Sequence, residues 1–495
     1  MSHADPPDAA EAPAAPKREL TLFDSTCIIV GIIIGAGIYR TTPDIAGCVP
    51  DTGWLIAVWL LGGLVALVGA VCYAELATAY PRAGGDYVYL TRAFDRPIGF
   101  LFAWSELWVV RPGSIGVMAF AFGEFANQIW PRAEADAPAV HMLYAFVAIL
   151  ALTAVNAMGV RQGKWTQNVL TTAKVIGLLA VIVVGFTYTV PPPEENAATA
   201  AAEKPAEPAA ETAVEPTDKT TEPPPAPPAP PPAAAKPTFS LGAFGLAMIF
   251  VLFTYGGWNE MGYVGAEVRD PRRNIVRALV LGTLVVATIY VVVNLAFIHA
   301  LGLAGVRKAT AAADVLTLAL GPWGGWAISL LICISALGAI NGQIFTGSRI
   351  YYAMGNDHRL YRLLGRWDPK LNTPLWSLVV QATIALGLVM IFGIEPNGFK
   401  RMVIFTTPTF WFFLFLVGMS LFVFRAREPD VARPYRVLGY PLTPLLLCLV
   451  CLFMLYSSLD WAVRNQSWEA FWAVGITLVG VVASCFARSV PAVAE

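Results

Sequence analysis

The chain alternates long stretches free of Asp, Glu, Lys and Arg with short polar connections. Residues 52–74, 315–348, 371–394, 402–424 and 437–459 contain no such charge. Each is long enough to cross a hydrocarbon layer of ~30 Å as a helix rising ~1.5 Å per residue. Extending the pattern predicts twelve spans, at about 23–49, 54–79, 98–129, 140–158, 166–190, 240–265, 275–300, 316–353, 374–393, 401–424, 438–460 and 469–487. The expected fold class is therefore all-α and integral to a membrane. One segment is a different material. Residues 191–238 hold 15 Pro, 14 Ala, eight acids and three lysines, with no aromatic side chain. Such a stretch buries too little apolar surface to offset chain entropy and is expected to be a disordered, solvated spacer. The tail 1–20 has similar composition and gets the same reading.

Composition agrees with a membrane protein. Of 495 residues, 57% are hydrophobic and 14% charged, against ~45–50% and ~25% in soluble domains. An ordinary soluble enzyme is excluded. A net charge of −1 lacks the basic face that nucleic acid would require. Residues 1–20 lack the basic start and short apolar core of a cleavable signal peptide. The four histidines are scattered, and the Cys448/Cys451 pair sits in an apolar run and reads as buried and inert. No metal or cofactor is expected. With the N-terminus in the cytoplasm, 21 Lys and Arg fall in cytoplasmic connections and 9 in outer ones. That bias places both termini inside and the 191–238 spacer outside.

Two spans are poor membrane helices. The first contains Gly31, Gly35 and Gly37, and the sixth contains Thr254-Tyr-Gly256-Gly257. Mid-helix glycine costs ~1 kcal/mol relative to alanine. The breaks fall at corresponding places in two five-span groups, which is a pointer to a transporter's central site. Non-helical backbone at membrane depth is tolerated only inside protein or along a water cavity. A break exposes amide N–H groups suited to a carboxylate and carbonyls suited to an ammonium group. A pair of breaks could hold a zwitterion without a charged side chain. A single break reads as close helix packing; two matched breaks read as a substrate site.

The motifs Gly31-Ile-Ile-Ile-Gly-Ala-Gly-Ile38, Tyr73-Ala-Glu-Leu76, Pro81-Arg-Ala-Gly-Gly-Asp-Tyr87, Arg111-Pro112, Phe253-Thr-Tyr-Gly-Gly-Trp-Asn259, Asp270-Pro-Arg-Arg-Asn-Ile-Val-Arg277 and Asn341-Gly-Gln-Ile-Phe-Thr-Gly-Ser-Arg349 run in order along the chain. With them the chain resembles the L-type amino acid transporter family of the amino acid–polyamine–organocation superfamily and its bacterial relatives. The resemblance covers residue 20 to about 425, and more weakly the last two spans. It implies twelve transmembrane helices in a five-plus-five inverted repeat with helices one and six broken. The first repeat would occupy 21–190 and the second 239–425, with spans eleven and twelve in 426–495. It also implies sodium-independent exchange or proton-linked uptake of amino acids. Carried over by position, the amides of Gly35, Ala36 and Gly37 would hold the substrate carboxylate. Carbonyls of Ile33, Phe253 and Gly256 would receive its amino group. Phe253 would lid the site, and Asn259 and Asn341 would help gating. Alanine at 36, where the family usually has serine, removes a hydroxyl contact to the carboxylate.

Charges inside spans need an account. Lys174 in the fifth span reads either as a lysine snorkelling to the interface or as a functional cation. The resemblance favours the second, with the ammonium taking the place of a sodium ion and tying span one to span eight. Ser335 and carbonyls near Gly31 are its candidate partners. Glu106 and Arg111 lie five apart, outside ordinary helical neighbour spacing, and are expected to pair with other helices. Glu267 with Arg272 and Arg277 reads as a clasp. Glu75 is the side-chain candidate for a proton site if transport is proton-linked. Trp258 reads equally as core packing or substrate contact.

The favoured function is secondary transport of amino acids. The apolar or small pocket positions Ile33, Ala36, Phe253, Ser335 and Ala339 favour neutral substrates. Alternatives are a polyamine or cationic amino acid transporter, with Glu260 as counter-charge, and a non-transporting amino acid sensor. No Ser/His/Asp arrangement or metal spacing supports an enzyme. Partners are the amino acid substrate and lipid, with no nucleic acid. The 127–140 loop has no cysteine, so no disulfide-linked subunit is expected there. Composition suggests a bacterial inner membrane.

Overall fold

The computed structural model describes residues 16–132, 137–189, 240–308, 310–395 and 397–487. The 191–238 spacer and the first 15 residues of the tail lie outside the described residues. Within them the chain is almost entirely helical, with two isolated bridges as the only extended pairing.

The first span is α1 (Leu22–Ile33), a non-helical step at 34–36, then α2 (Gly37–Arg40) and α3 (Thr42–Cys48). There follow α4 (Thr52–Ala79), α5 (Asp86–Phe94), α6 (Arg96–Ser105), a π-helical turn at Glu106–Val110, α7 (Arg111–Ile129), α8 (Ala137–Ala157) and α9 (Val160–Thr187). The second half begins with α10 (Leu241–Thr254) and two 3-10 turns, Trp258–Gly262 and Gly265–Glu267. It continues with α11 (Pro271–Val306), α12 (Ala311–Leu320), α13 (Gly324–Asp357), α14 (Leu375–Gly393), α15 (Gly398–Arg427), α16 (Leu442–Arg464) and α17 (Trp468–Phe486). Eleven helical segments among the described residues are long and apolar enough to cross a membrane. The remaining predicted span, 98–129, is the α6–π–α7 unit, whose intramembrane charges lower its hydropathy.

Several boundaries move, each for a local reason. The sixth span does not resume as an α-helix after its break, because glycines at 256, 257, 262 and 265 leave the backbone free to take tighter turns. The predicted span 316–353 is two helices parted at Gly321–Trp323, where Gly321 takes φ +55° and a proline follows. Helix α9 starts at Val160, earlier than the expected 166.

Layering follows from which faces are apolar. Helices α1 and α13 belong to the most enclosed spans, with 83% of their apolar windows buried, whereas α17 is 22% buried. Around α1 pack α9, α11, α13 and the 258–262 turn; α4 lies along α11 and α7 along α13. Peripheral helices instead expose large apolar side chains, such as Ile176, Leu179 and Val183 on α9 and Leu445, Leu449 and Leu452 on α16. Helices apolar on their outward faces suit a hydrocarbon surround. The tail is tied down at Leu20, whose N–H reaches the Glu267 carbonyl (2.9 Å) while its carbonyl accepts from the Arg269 N–H (2.8 Å). A capping box of Thr21 and Asp24 starts α1, and Asp24 also meets Lys164 and Asn168 of α9.

Candidate functional site

The two breaks meet. A methyl group on Gly37 would lie 3.0 Å from Thr254 Oγ1, and one on Gly257 would lie 2.6 Å from Ile32 Cγ2. Gly257 also sits at φ +111°, a conformation closed to most side chains. The Thr41 and Thr254 hydroxyls are 2.9 Å apart, joining α3 to the end of α10. Tyr290 of α11 braces both ends, with its hydroxyl 2.8 Å from the Ile33 carbonyl and 3.3 Å from that of Thr254.

Beside the breaks lies a cavity of about 930 Å³ including its open mouth. Its walls include Ile33, Gly35 and Gly37 from the first span, and Phe253, Gly256, Gly257, Asn259 and Glu260 from the sixth. Arg111 and Glu106, Gln343 of α13 and Thr406, Thr407, Phe410 and Trp411 of α15 also line it. Amides at the start of α2 have no acceptor one turn back in their own helix, so Ala36, Gly37 and Ile38 offer N–H groups at the break. Ala36 itself is fully buried and contributes only backbone.

The carbonyl side departs from expectation. The Ile33 carbonyl accepts from the Gly35 N–H (2.8 Å) and from Tyr290 (2.8 Å). Two lone pairs are thereby used, which corrects its assignment as an open ammonium acceptor. The Phe253 carbonyl accepts from the Gly256 N–H at 3.1 Å and takes a share of the Tyr255 N–H, which also serves the Val251 carbonyl. The Phe253 ring meets Phe399 edge-on at 6.2 Å. Asn259 donates to the Tyr263 hydroxyl at 3.2 Å. Trp258 does not line the cavity; it fills the notch over Gly69 and packs on Tyr73 at 5.2 Å. Of its two readings the structure selects core packing.

Lys174 is fully buried and points at the break. Its ammonium donates to the carbonyls of Gly31 (2.8 Å), Ile34 (2.7 Å) and Ser335 (2.8 Å). The snorkelling alternative is thereby removed, and the Ser335 contact runs through the carbonyl, not the hydroxyl. Gly338 gives the ammonium room, since a methyl there would come within 2.5 Å of Nζ. Asn341 sits away from the cavity, joining Asn156 (2.8 Å), Gln167 (2.9 Å) and the Gly163 carbonyl (3.1 Å).

Three charge readings change. Arg111 pairs with another span as expected, meeting Glu260 at 2.7 Å, but it also pairs with Glu106 at 3.3 Å, because the π turn between them bonds i to i+5 and brings positions five apart onto one face. Glu267 binds Arg349 through two contacts, 2.8 and 3.1 Å, while Arg272 and Arg277 are exposed. Glu75 is held by Arg425 (3.0 and 2.6 Å), Arg433 (3.4 Å) and the Val437 N–H (2.7 Å). A carboxylate so compensated and outside the cavity wall is a structural anchor, which corrects its assignment as the proton site.

Sequence reasoning missed Tyr290, Thr254 and Asp86. Tyr290 shares its span with Thr283, Thr288, Asn294 and His299, so nothing in the sequence singled it out. Asp86 is buried and accepts from Tyr73 and Tyr263, both at 2.7 Å. Nothing local marked the link from Asp86 through Tyr263 to Asn259 on the cavity wall.

Comparison with known proteins adds an independent result. The family profile described as Amino acid permease matches residues 20–482. The chain is 28% identical to the b(0,+)-type amino acid transporter 1 of Mus musculus, over 94% of this chain and 87% of that protein. It is 26% identical to the serine/threonine exchanger SteT of Bacillus subtilis (strain 168), over 90% and 91%. It is 28% identical to the large neutral amino acids transporter small subunit 2 of Mus musculus, over 90% and 76%.

Proposed function

The chain belongs to the amino acid permease family, and from that premise we propose that it moves neutral L-amino acids by alternating access, independently of sodium. It is an integral membrane protein and a transporter, not an enzyme. The observation that carries the substrate reading is the meeting of two broken spans at Gly37/Thr254 and Gly257/Ile32 on the wall of one cavity. Amides of Ala36 and Gly37 receive the substrate carboxylate, while the Gly35 N–H, expected to join them, is committed to the Ile33 carbonyl. The Phe253 carbonyl and the Gly256 turn receive the ammonium group. Phe253 covers the side chain, and the apolar faces of Ile33, Ile249 and Met118 accept it. Lys174, bonded to the Gly31, Ile34 and Ser335 carbonyls, holds the first span to α13, and Asn259 and Asn341 act at the moving joints.

The spans form two five-span repeats, 21–190 and 239–425, followed by 426–495. The Lys/Arg bias supports cytoplasmic termini, and the composition supports a bacterial inner membrane. The cysteine-free 127–140 loop fits a subunit that works without a disulfide-linked partner. Counterflow into proteoliposomes tests the proposal. Vesicles are preloaded with each amino acid in turn and given labelled substrate outside. Uptake with neutral amino acids is expected; no uptake with any amino acid refutes it.

A further inference from the structure

The connection between α13 and α14 is built as a three-sided rod. From His358 to Arg366 its backbone N–H groups reach back three residues: Tyr361 to His358, Arg362 to Arg359, Leu364 to Tyr361 and Arg366 to Leu363, at 2.8 to 3.4 Å. With three residues per turn, positions three apart stack in one row. One row, His358, Tyr361, Leu364 and Trp367, is turned to the protein. His358 meets Phe100 edge-on at 5.0 Å, Trp367 meets Tyr352 at 5.0 Å, and the Leu364 carbonyl accepts from Ser377 at 2.9 Å. The second row presents Arg359 and Arg362, both exposed. The third presents Leu360 and Leu363, 70% and 41% exposed, and ends on exposed Arg366.

Neither outward row is used by the fold. Leucines left in water forfeit the gain of burial. The cations are uncommitted as well: among the described residues Arg359, Arg362, Arg366 and Lys370 form no ion pair. The two acids of this stretch already have donors. Asp357 accepts from Tyr87 at 2.7 Å, and Asp368 accepts from the N–H groups of Lys370 (2.8 Å) and Leu371 (2.9 Å).

The position of the rod identifies what covers it. Helix α13 ends at Asp357 and α14 begins at Leu375, and both belong to membrane-crossing segments. The rod does not project away from them. It folds back on the last turn of α13, where a methyl on Gly355 would lie 2.1 Å from the Gly365 nitrogen. Trp376, in the first turn of α14, is exposed beside it, as tryptophans at the membrane–water interface are. The leucine row thus stands at the ends of two spans, where acyl chains begin, with the arginine row next to it. An apolar row flanked by a basic one is the pattern of an element lying in the interface. A soluble acidic partner would engage the arginines and leave the leucines without a role.

We propose that residues 358–367 form an interfacial anchor that binds anionic phospholipid. Leu360 and Leu363 enter the upper acyl region, and Arg359, Arg362 and Arg366 hold the headgroup phosphates, to which a guanidinium presents a fork of N–H donors. A zwitterionic headgroup sets its own ammonium against the phosphate, so the anchor prefers lipids of net negative charge. The inference rests on the chain's being an integral membrane protein and is separate from the substrate reading.

The test uses the full chain with Cys485→Ser, which removes the exposed cysteine, and Leu360→Cys carrying an environment-sensitive maleimide dye. The Cys485→Ser chain alone sets the labelling background, and melting temperature checks that each variant is folded. The protein is reconstituted in phosphatidylcholine mixed with phosphatidylglycerol. A nitroxide on the upper acyl chain is carried by one lipid or the other in equal amount. Blue-shifted emission is expected, with iodide quenching far weaker than for the free dye. Nitroxide on phosphatidylglycerol is expected to quench at least about fivefold more effectively than on phosphatidylcholine, the factor that one cation supplies near an anionic surface. That ratio should fall to near one in the Arg359→Gln/Arg362→Gln/Arg366→Gln chain and survive in the corresponding Arg→Lys chain. Iodide quenching as strong as for the free dye overturns the inference, because the leucine row would then stand in water. Equal quenching by the two lipids in the unsubstituted rod overturns the headgroup assignment. Protection from iodide with no quenching by either lipid overturns the inference too, because protein would then cover the face.

Discussion

Replacing Gly338 by alanine drives a methyl carbon to 2.5 Å from Lys174 Nζ and 2.8 Å from its Cε. Neither helix can give way easily, because α13 and α9 are packed along each other at this level. The ammonium must move, and its three carbonyl contacts, at 2.7 to 2.8 Å, cannot all survive. Losing one hydrogen bond to a charged group costs ~1.5–3 kcal/mol. Overpacking a core by a methyl costs ~1–3 kcal/mol. Gly338→Ala is therefore expected to destabilise the protein by about 2.5–6 kcal/mol. The clash disappears when the lysine is shortened. In Lys174→Ala the remaining close neighbour is Leu170 Cβ at 3.4 Å, ordinary contact, so the added methyl should cost at most ~1 kcal/mol there. A double-mutant cycle on the purified protein, read by thermal melting, should give a coupling of at least about 1.5 kcal/mol. Penalties that add within ~0.5 kcal/mol would refute the reasoning, because they would mean that the methyl never meets the ammonium. Transport gives a second readout. Lys174→Ala frees the α1 break from α13 and is expected to slow net uptake, which needs return of the empty carrier. Wild-type net uptake by the folded variant would contradict that.

Other expectations are as direct. Arg349→Met leaves Glu267 fully buried without its partner and should cost ~3–5 kcal/mol, seen as a large drop in melting temperature; an unchanged midpoint would show that the pair is dispensable. Gly257→Ala forces a side chain into φ +111° and against Ile32, so counterflow should collapse while Gly242→Ala, which meets nothing within 4 Å, leaves it intact. Burial pushes the Asp86 carboxyl from its ordinary 3.8 up to about 7. The folded protein then holds a proton that the unfolded chain releases, so stability falls as pH rises from about 4 through about 7. Asp86→Asn should flatten melting temperature across that window, and an unchanged slope would rule out the assignment.

The spans, the two breaks and the family resemblance were open to reading from the sequence because each rests on local chemistry. Some twenty contiguous apolar residues decide whether a helix can sit in hydrocarbon. Glycines at 35, 37, 256 and 257 decide where such a helix yields. Lys174 was marked as unusual by the same logic, since a cation in an apolar run must find partners. Which partners it found was not written there: the Gly31 carbonyl of α1, the Ile34 carbonyl of the break and one carbonyl of α13 come together only when three helices pack.

The same division runs through the buried charges. Glu267 has Arg272 and Arg277 close by in sequence, yet its 3-10 turn faces α13 and it pairs with Arg349, 82 positions away. Glu75 meets Arg425 across 350 positions. The Glu106–Arg111 contact depends on a single π turn, an insertion in helical register that spacing rules for α-helices do not foresee. Segment-level hydrophobicity and backbone freedom belong to a stretch of chain and are fixed by its composition. Charge pairing belongs to distances between stretches, and only the packed helices set those distances.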